Sequence, residues 1–161
     1  TLDSSKKGVI DEKTLRKIVL SYGGDENVGA SARLYLNKSD LIAFGDVRGS
    51  DKKPVYEITP DAGNPNTGII KDGGLAVPYT INSNLTALAG TAQSSTAVTN
   101  TMVYGDPMNY ELGLFGDYVI EVSKDYKFAE GLLTVMGEVL AGGNLIKHNG
   151  FLVCQIAKGT A

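Results

Sequence analysis

The chain has 161 residues, a formal net charge of −3 at neutral pH, twenty glycines, one cysteine, one histidine and no tryptophan. That length suffices for one compact domain or a domain with a small extension, and the lone Cys154 excludes an internal disulfide framework and a cysteine-built zinc site. The acidic balance excludes a dedicated nucleic-acid binder, because counterion release needs a clustered basic surface, and the pairs Lys6-Lys7 and Lys52-Lys53 read as solvated loop charges.

Along the chain, Asp11 is placed to cap a helix running to about Tyr22, since Leu15, Ile18, Val19 and Tyr22 recur at helical spacing and Gly23-Gly24 offers a stop. Arg33 to Leu36 reads as a strand leading into Asn37, which caps a brief helix over Ser39 to Phe44 before Gly45. RGSDKK, Arg48 to Lys53, is an exposed turn, and Val55 to Thr59 a strand. PDAGNPNTGIIKDGG, Pro60 to Gly74, is dense in Gly, Pro, Asn and Asp and reads as a long loop. Loops of that length inside compact domains are usually binding elements or disordered, which makes this one the expected contact loop.

Leu75 to Ile81 is a strand that Pro78 demotes to an edge or a bulge, because proline cannot donate to the ladder. Ala89 to Asn100 is a flexible excursion or a weak helix; composition does not choose. A strand at Met102 to Tyr104 and a turn at Gly105-Asp106-Pro107 precede the strand Tyr118 to Ser123, whose Tyr118, Ile120 and Val122 share one face. Leu132 to Leu140 fits both periods, with Gly131 and Gly137 weakening the helix. AGGNLIKHNG then connects to a strand at Phe151 to Ala157, in which Leu152, Cys154 and Ile156 alternate.

Each catalytic constellation fails on spacing. His148 has no G-x-S-x-G elbow to serve, DAGNPNTG lacks the spacing of a calcium loop, and AGGNLIK and YGGDENVG match neither phosphate-binding glycine pattern. Asp11-Glu12 and Asp25-Glu26 lie at helix caps or in loops, and Cys154 reads as a small buried hydrophobe. Asn37-Lys38-Ser39 and Asn84-Leu85-Thr86 fit the glycosylation triplet without any sign of secretion. No run reaches the ~18 apolar residues of a membrane helix, and the first residues lack a signal peptide's apolar core. The absence of an initial methionine raises the expectation that this is a piece of a longer chain. No enzyme activity, cofactor or metal is expected.

The last third, VYGDPMNYELGLFGDYVIEVSKDYKFAEGLLTVMGEVLAGGNLIKHNGFLVCQI, resembles the end of tailed-bacteriophage major capsid proteins of the Hong Kong 97-like fold. A GD turn at Gly105-Asp106, an IEVS strand at Ile120 to Ser123, a DYxF break at Asp125 to Phe128 and two final strands follow in that family's order. Earlier segments, LYLNKSDL and GGLAVPYTINS, keep the order of its axial domain. Departures are Lys38 in place of a frequent proline, Glu138-Val139 where many members carry arginine, and Gly131 where some place a cross-linking asparagine.

The resemblance implies an α+β fold with a mixed sheet and two short helices in the axial domain, residues 1–117. Residues 118–161 would supply strands of the peripheral domain, and the N-terminal arm, extended loop and spine helix would lie outside this stretch. It implies a structural, self-assembling subunit whose pentamers and hexamers tile an icosahedral shell. That shell encloses DNA non-specifically, beside other phage capsid proteins, in the virion and in the bacterial cytoplasm during assembly, with no membrane. The expected subunit contacts are Lys52, Lys53, Asp61, Asn64, Asn66, Lys71 and Asp72. An encapsulin-type compartment shell is the alternative within the fold. From another class comes a β-rich carbohydrate-binding module presenting Tyr79, Tyr104 and Tyr110.

Overall fold

A computed structural model describes residues 2–23, 28–123 and 127–159. In chain order its elements are α1 (Thr14–Leu20), β1 (Arg33–Leu36), α2 (Lys38–Asp46), β2 (Glu57–Asp61), β3 (Asn64–Asp72), β4 (Leu75–Ile81), β5 (Thr99–Gly105), β6 (Tyr110–Ser123), β7 (Thr134–Leu145) and β8 (Phe151–Ile156), with short 3-10 turns at Pro107–Asn109 and Phe128–Glu130. They divide into two units, Thr1–Asn109 with Lys147–Ala161, and Tyr110–Ile146.

The first unit is a six-stranded mixed sheet ordered β2-β3-β4-β1-β5-β8, in which only β1 and β4 run parallel. Its core joins Leu15 and Ile18 of α1, Phe44 of α2 and Leu34, Leu36, Ile70, Tyr79 and Met102 of the strands. Alternation places Leu34 and Leu36 inward, both fully buried. Tyr56 ties the two helices together. Its hydroxyl donates to the Asp11 carbonyl at 2.7 Å and accepts from Leu15 N at 3.4 Å, while its ring meets Phe44 edge-on at 5.1 Å.

Most expected elements form, with corrections that have physical causes. Asn37 caps α2 as expected, accepting from Ser39 N at 3.0 Å, and its amide donates to Leu85 O at 2.8 Å. Asp11 stands one turn ahead of α1, accepting from Lys13 N and Thr14 Oγ1. Gly23 has φ +77° past the helix, whereas Gly24 and the Asp125-Tyr126 break lie outside the described residues.

Pro60 to Gly74 is not a loop but the β2–β3 hairpin. Its glycine at 68 serves packing instead of turning, because a Cβ there would stand 2.8 Å from Pro60 Cα and 2.9 Å from the Tyr79 ring. Pro78 lies in an interior strand, not an edge. The β1 ladder begins only at Tyr79, one residue beyond the proline. Ala89 to Val98 forms turns without a helix.

The second unit is a two-stranded antiparallel ribbon, β6 with β7. The ambiguity at Leu132 to Leu140 resolves as strand, and β7 also takes in Ala141 to Leu145 of the expected connection. A bulge between Phe115 and Val119, with Gly116 at φ +91°, adds residues to β6 without changing which face the strand presents. The expected division at residue 117 falls at Asn109, and β8 pairs with β5 in the first sheet instead of joining β6 and β7.

Candidate contact surfaces

The GD turn builds a polar joint where the chain leaves the first unit and later re-enters it. Asn109, 1% exposed, donates through Nδ2 to Val28 O at 2.7 Å, Gly150 O at 3.0 Å and Tyr22 Oη at 3.2 Å. Asp106 accepts from Ser31 N and Met108 N, and its own N–H donates to Tyr22 Oη. Glycine is required around this joint. A Cβ on Gly29, at φ +100°, would overlap the Asp106 carboxylate, and one on Gly150 would stand 2.8 Å from Asn109 Cβ. The turn residues were legible in the sequence, but the convergence of Tyr22, Val28 and Gly150 upon Asn109 was not, since they come from distant parts of the chain.

The expected contact residues separate into groups along the β2–β3 hairpin and the turn before it. Lys52, at φ +63°, and Lys53 stand on the turn closed by Gly49 N→Lys53 O at 2.9 Å, before β2 begins. Asp61, Asn64 and Asn66 are exposed at the far tip of the hairpin, where Asp61 and Asn64 are cross-strand partners. Five residues of strand, ~17 Å, separate tip from turn. Lys71 is opposite Glu57, 3.8 Å away. Asp72 is 4% exposed and bound to Arg16 Nη2 at 2.7 Å, so its carboxylate is engaged inside the fold and not displayed for a partner. That carboxylate raises the Arg16 pKa by hydrogen bond and charge.

The surface that sequence reasoning saw only in part is the β6–β7 ribbon. Tyr110, Leu112, Leu114, Tyr118, Ile120 and Val122 of β6 fall on one face, opposite Val135, Val139, Ala141 and Leu145 of β7. The tyrosines cover glycines on that face: Tyr110 lies over Gly143 and Tyr118 over Gly137. No charged side chain interrupts it, yet Tyr110 is 50% and Leu114 67% exposed. The reverse face is different. Phe115, Val119, Met136 and Leu140 alternate there with Glu111, Glu121 and Glu138, and Phe115 lies across Gly113 and Gly142. Neither strand carries a lysine or arginine.

Cys154 packs against the core, and burial pushes its thiol up to about 11, far from a reactive thiolate. His148 is exposed in the turn before β8. Among the described residues no three His, Cys, Asp or Glu side chains stand close enough to hold a metal, and no helix is long and apolar enough to cross a membrane. An open cleft of about 630 Å³ lies between Ile10, Ala43 and Gly90, but the Arg48 guanidinium at its rim is held by Gly45 O and Val47 O. Tyr79 and Tyr104 are core residues, 0% and 8% exposed, so the expected tyrosine surface for sugars does not exist.

A mixed sheet with two short helices in one unit and a long two-stranded ribbon in the other is similar in fold to a solved phage-like capsid subunit. It matches a solved structure described as "Capsid of empty GTA particle computed with C5 symmetry", with a TM-score of 0.51 at 15% sequence identity. The match covers 80% of this chain and 40% of the capsid chain, so this sequence spans less than half of that subunit's length. At that identity the likeness is one of fold. No protein-family model and no curated protein matches the sequence.

Proposed function

We propose that this chain is part of the major capsid subunit of a phage-like particle, in the Hong Kong 97-like form, with a structural and non-enzymatic role. The first unit corresponds to the axial domain and the β6–β7 ribbon to the peripheral domain. Copies of the whole subunit would tile a closed shell in the virion after assembly in the bacterial cytoplasm.

The observation that carries this reading is the capsid fold joined to an uninterrupted exposed apolar ribbon face. Monomeric proteins rarely display contiguous apolar patches beyond a few hundred Å², and a larger one marks an interaction surface. Shell building asks for such surfaces rather than a reactive pocket, and repetition of a weak contact supplies avidity. An acidic subunit suits a container that must not grip its nucleic acid.

Electron microscopy of the intact gene product tests the reading: closed particles of uniform diameter are expected. Nucleic acid inside them supports a capsid, whereas protein cargo assigns the encapsulin alternative. Lys52 and Lys53 on the turn before β2, and Asp61, Asn64 and Asn66 at the tip of the β2–β3 hairpin, are proposed subunit contacts. Reversing Lys52 and Lys53 to glutamate is expected to alter particle yield or size; normal shells from that variant remove both residues from the contact.

A further inference from the structure

The ribbon's reverse face and the outer face of α1 are complementary in both charge and polarity. Thr14, Leu15 and Ile18 of α1 turn into the core. Positions 13, 16, 17 and 20 therefore form one outer stripe at i, i+3, i+4 and i+7, and they are Lys13, Arg16, Lys17 and Leu20. Leu20 is 79% exposed, an apolar group at the end of a basic stripe. Arg16 keeps its Asp72 partner while its side chain remains 56% exposed.

The ribbon face offers the opposite pattern. Glu111, Glu121 and Glu138 carry negative charge on it, and Phe115, Val119, Met136 and Leu140 stand between them, all about half exposed or more. None of the three glutamates has a lysine or arginine on its own strand or the facing one. An apolar centre bordered by unlike charges is the composition of a protein–protein contact, and charge complementarity selects the partner and its orientation.

Resting on the capsid reading, we propose that α1 of one copy docks on the acidic face of the β6–β7 ribbon of the next copy. Lys13 and Lys17 meet Glu121 and Glu138, and Leu20 enters the apolar strip beside Met136 and Leu140. The contact is heterologous, using two different surfaces of one chain, which is the geometry that generates rings when its rotation closes. The wholly apolar opposite face of the ribbon remains separate from this contact.

The test mixes isotopically light and heavy chain at millimolar concentration, joins adjacent amines and carboxylates with a zero-length carbodiimide, and identifies mixed-isotope links by mass spectrometry. Links from Lys13 or Lys17 to Glu121 or Glu138 between copies are expected. Their absence, or dominant links from Lys52 and Lys53 to the same glutamates, overturns the proposal.

A swap experiment checks direction and excludes simple misfolding. Lys13→Glu with Lys17→Glu, and separately Glu121→Lys with Glu138→Lys, should each lower those mixed-isotope links by about tenfold or more. Mixing the two variants should restore them, because each then presents the complement of the other. Failure to restore, with both variants folded by circular dichroism, also overturns it. Closed particles from the intact gene product without these links sink this contact alone; no particles sink the capsid reading.

Discussion

Asn109 shows how one side chain holds two distant chain segments together. Its amide donates to Val28 O and Gly150 O inside the fold, so removing it takes the donor from the Gly150 carbonyl and leaves Val28 O with the Tyr22 hydroxyl as donor. Asn109→Ala is expected to lower stability by about 1–3 kcal/mol, read as a shifted urea midpoint at unchanged slope. Asp40 offers a test by pH. It is fully buried at the start of α2, and its oxygens accept from Leu88 N at 2.9 Å and Ala89 N at 2.8 Å. Burial raises its pKa, against the lowering effect of those two donors.

A carboxyl whose folded pKa lies above its unfolded value holds its proton longer in the native state. Its contribution therefore favours folding at low pH and declines as pH rises from about 4 through the folded pKa. Asp40→Asn should be less stable than the parent at neutral pH, having lost one acceptor, and should show a flatter dependence across that window. A parent and variant with parallel pH profiles in urea unfolding would contradict this account.

At the scale of elements, the ribbon departs from ordinary folding economy. A two-stranded hairpin is marginal alone in water, and β6–β7 buries almost none of its side chains among the described residues. Substitutions on its apolar face should therefore act on association and not on stability. Leu114→Thr, Ile120→Thr and Val135→Thr together are expected to reduce binding of a hydrophobic dye, while each shifts the unfolding free energy by no more than ~0.5 kcal/mol. A large loss of stability would mean that this face is already covered within the chain. The β2–β3 hairpin makes the contrasting case, because its inner positions Ile70 and Gly68 are buried and only its tip and outer edge are free.

For the molecule as a whole, two units of unequal burial imply unequal opening. Amide hydrogen exchange is expected to be slowest in β1, β4 and β5, which lie inside the six-stranded sheet, and faster along β6 and β7, whose outer edges have no strand beside them in the described structure. Uniform protection across both units would instead indicate one cooperative block. In assembled particles the ribbon amides should slow markedly while those of β1 change little, if assembly covers the ribbon.

The sequence by itself determined what is local. Alternation fixed β8, and the Asn37 side chain fixed the start of α2. Half of the ribbon's apolar face was visible as Tyr118, Ile120 and Val122. Tertiary structure decided what depends on distant partners. Turn-forming residues in Pro60 to Gly74 concealed a hairpin, because Gly68 answers to Tyr79 and Pro60 across neighbouring strands. β8 left its expected neighbours for β5, and Tyr79, Tyr104 and Asp72 turned inward. Register and burial are set by contacts between residues far apart in the chain, and local pattern carries no record of which strand comes to lie beside which.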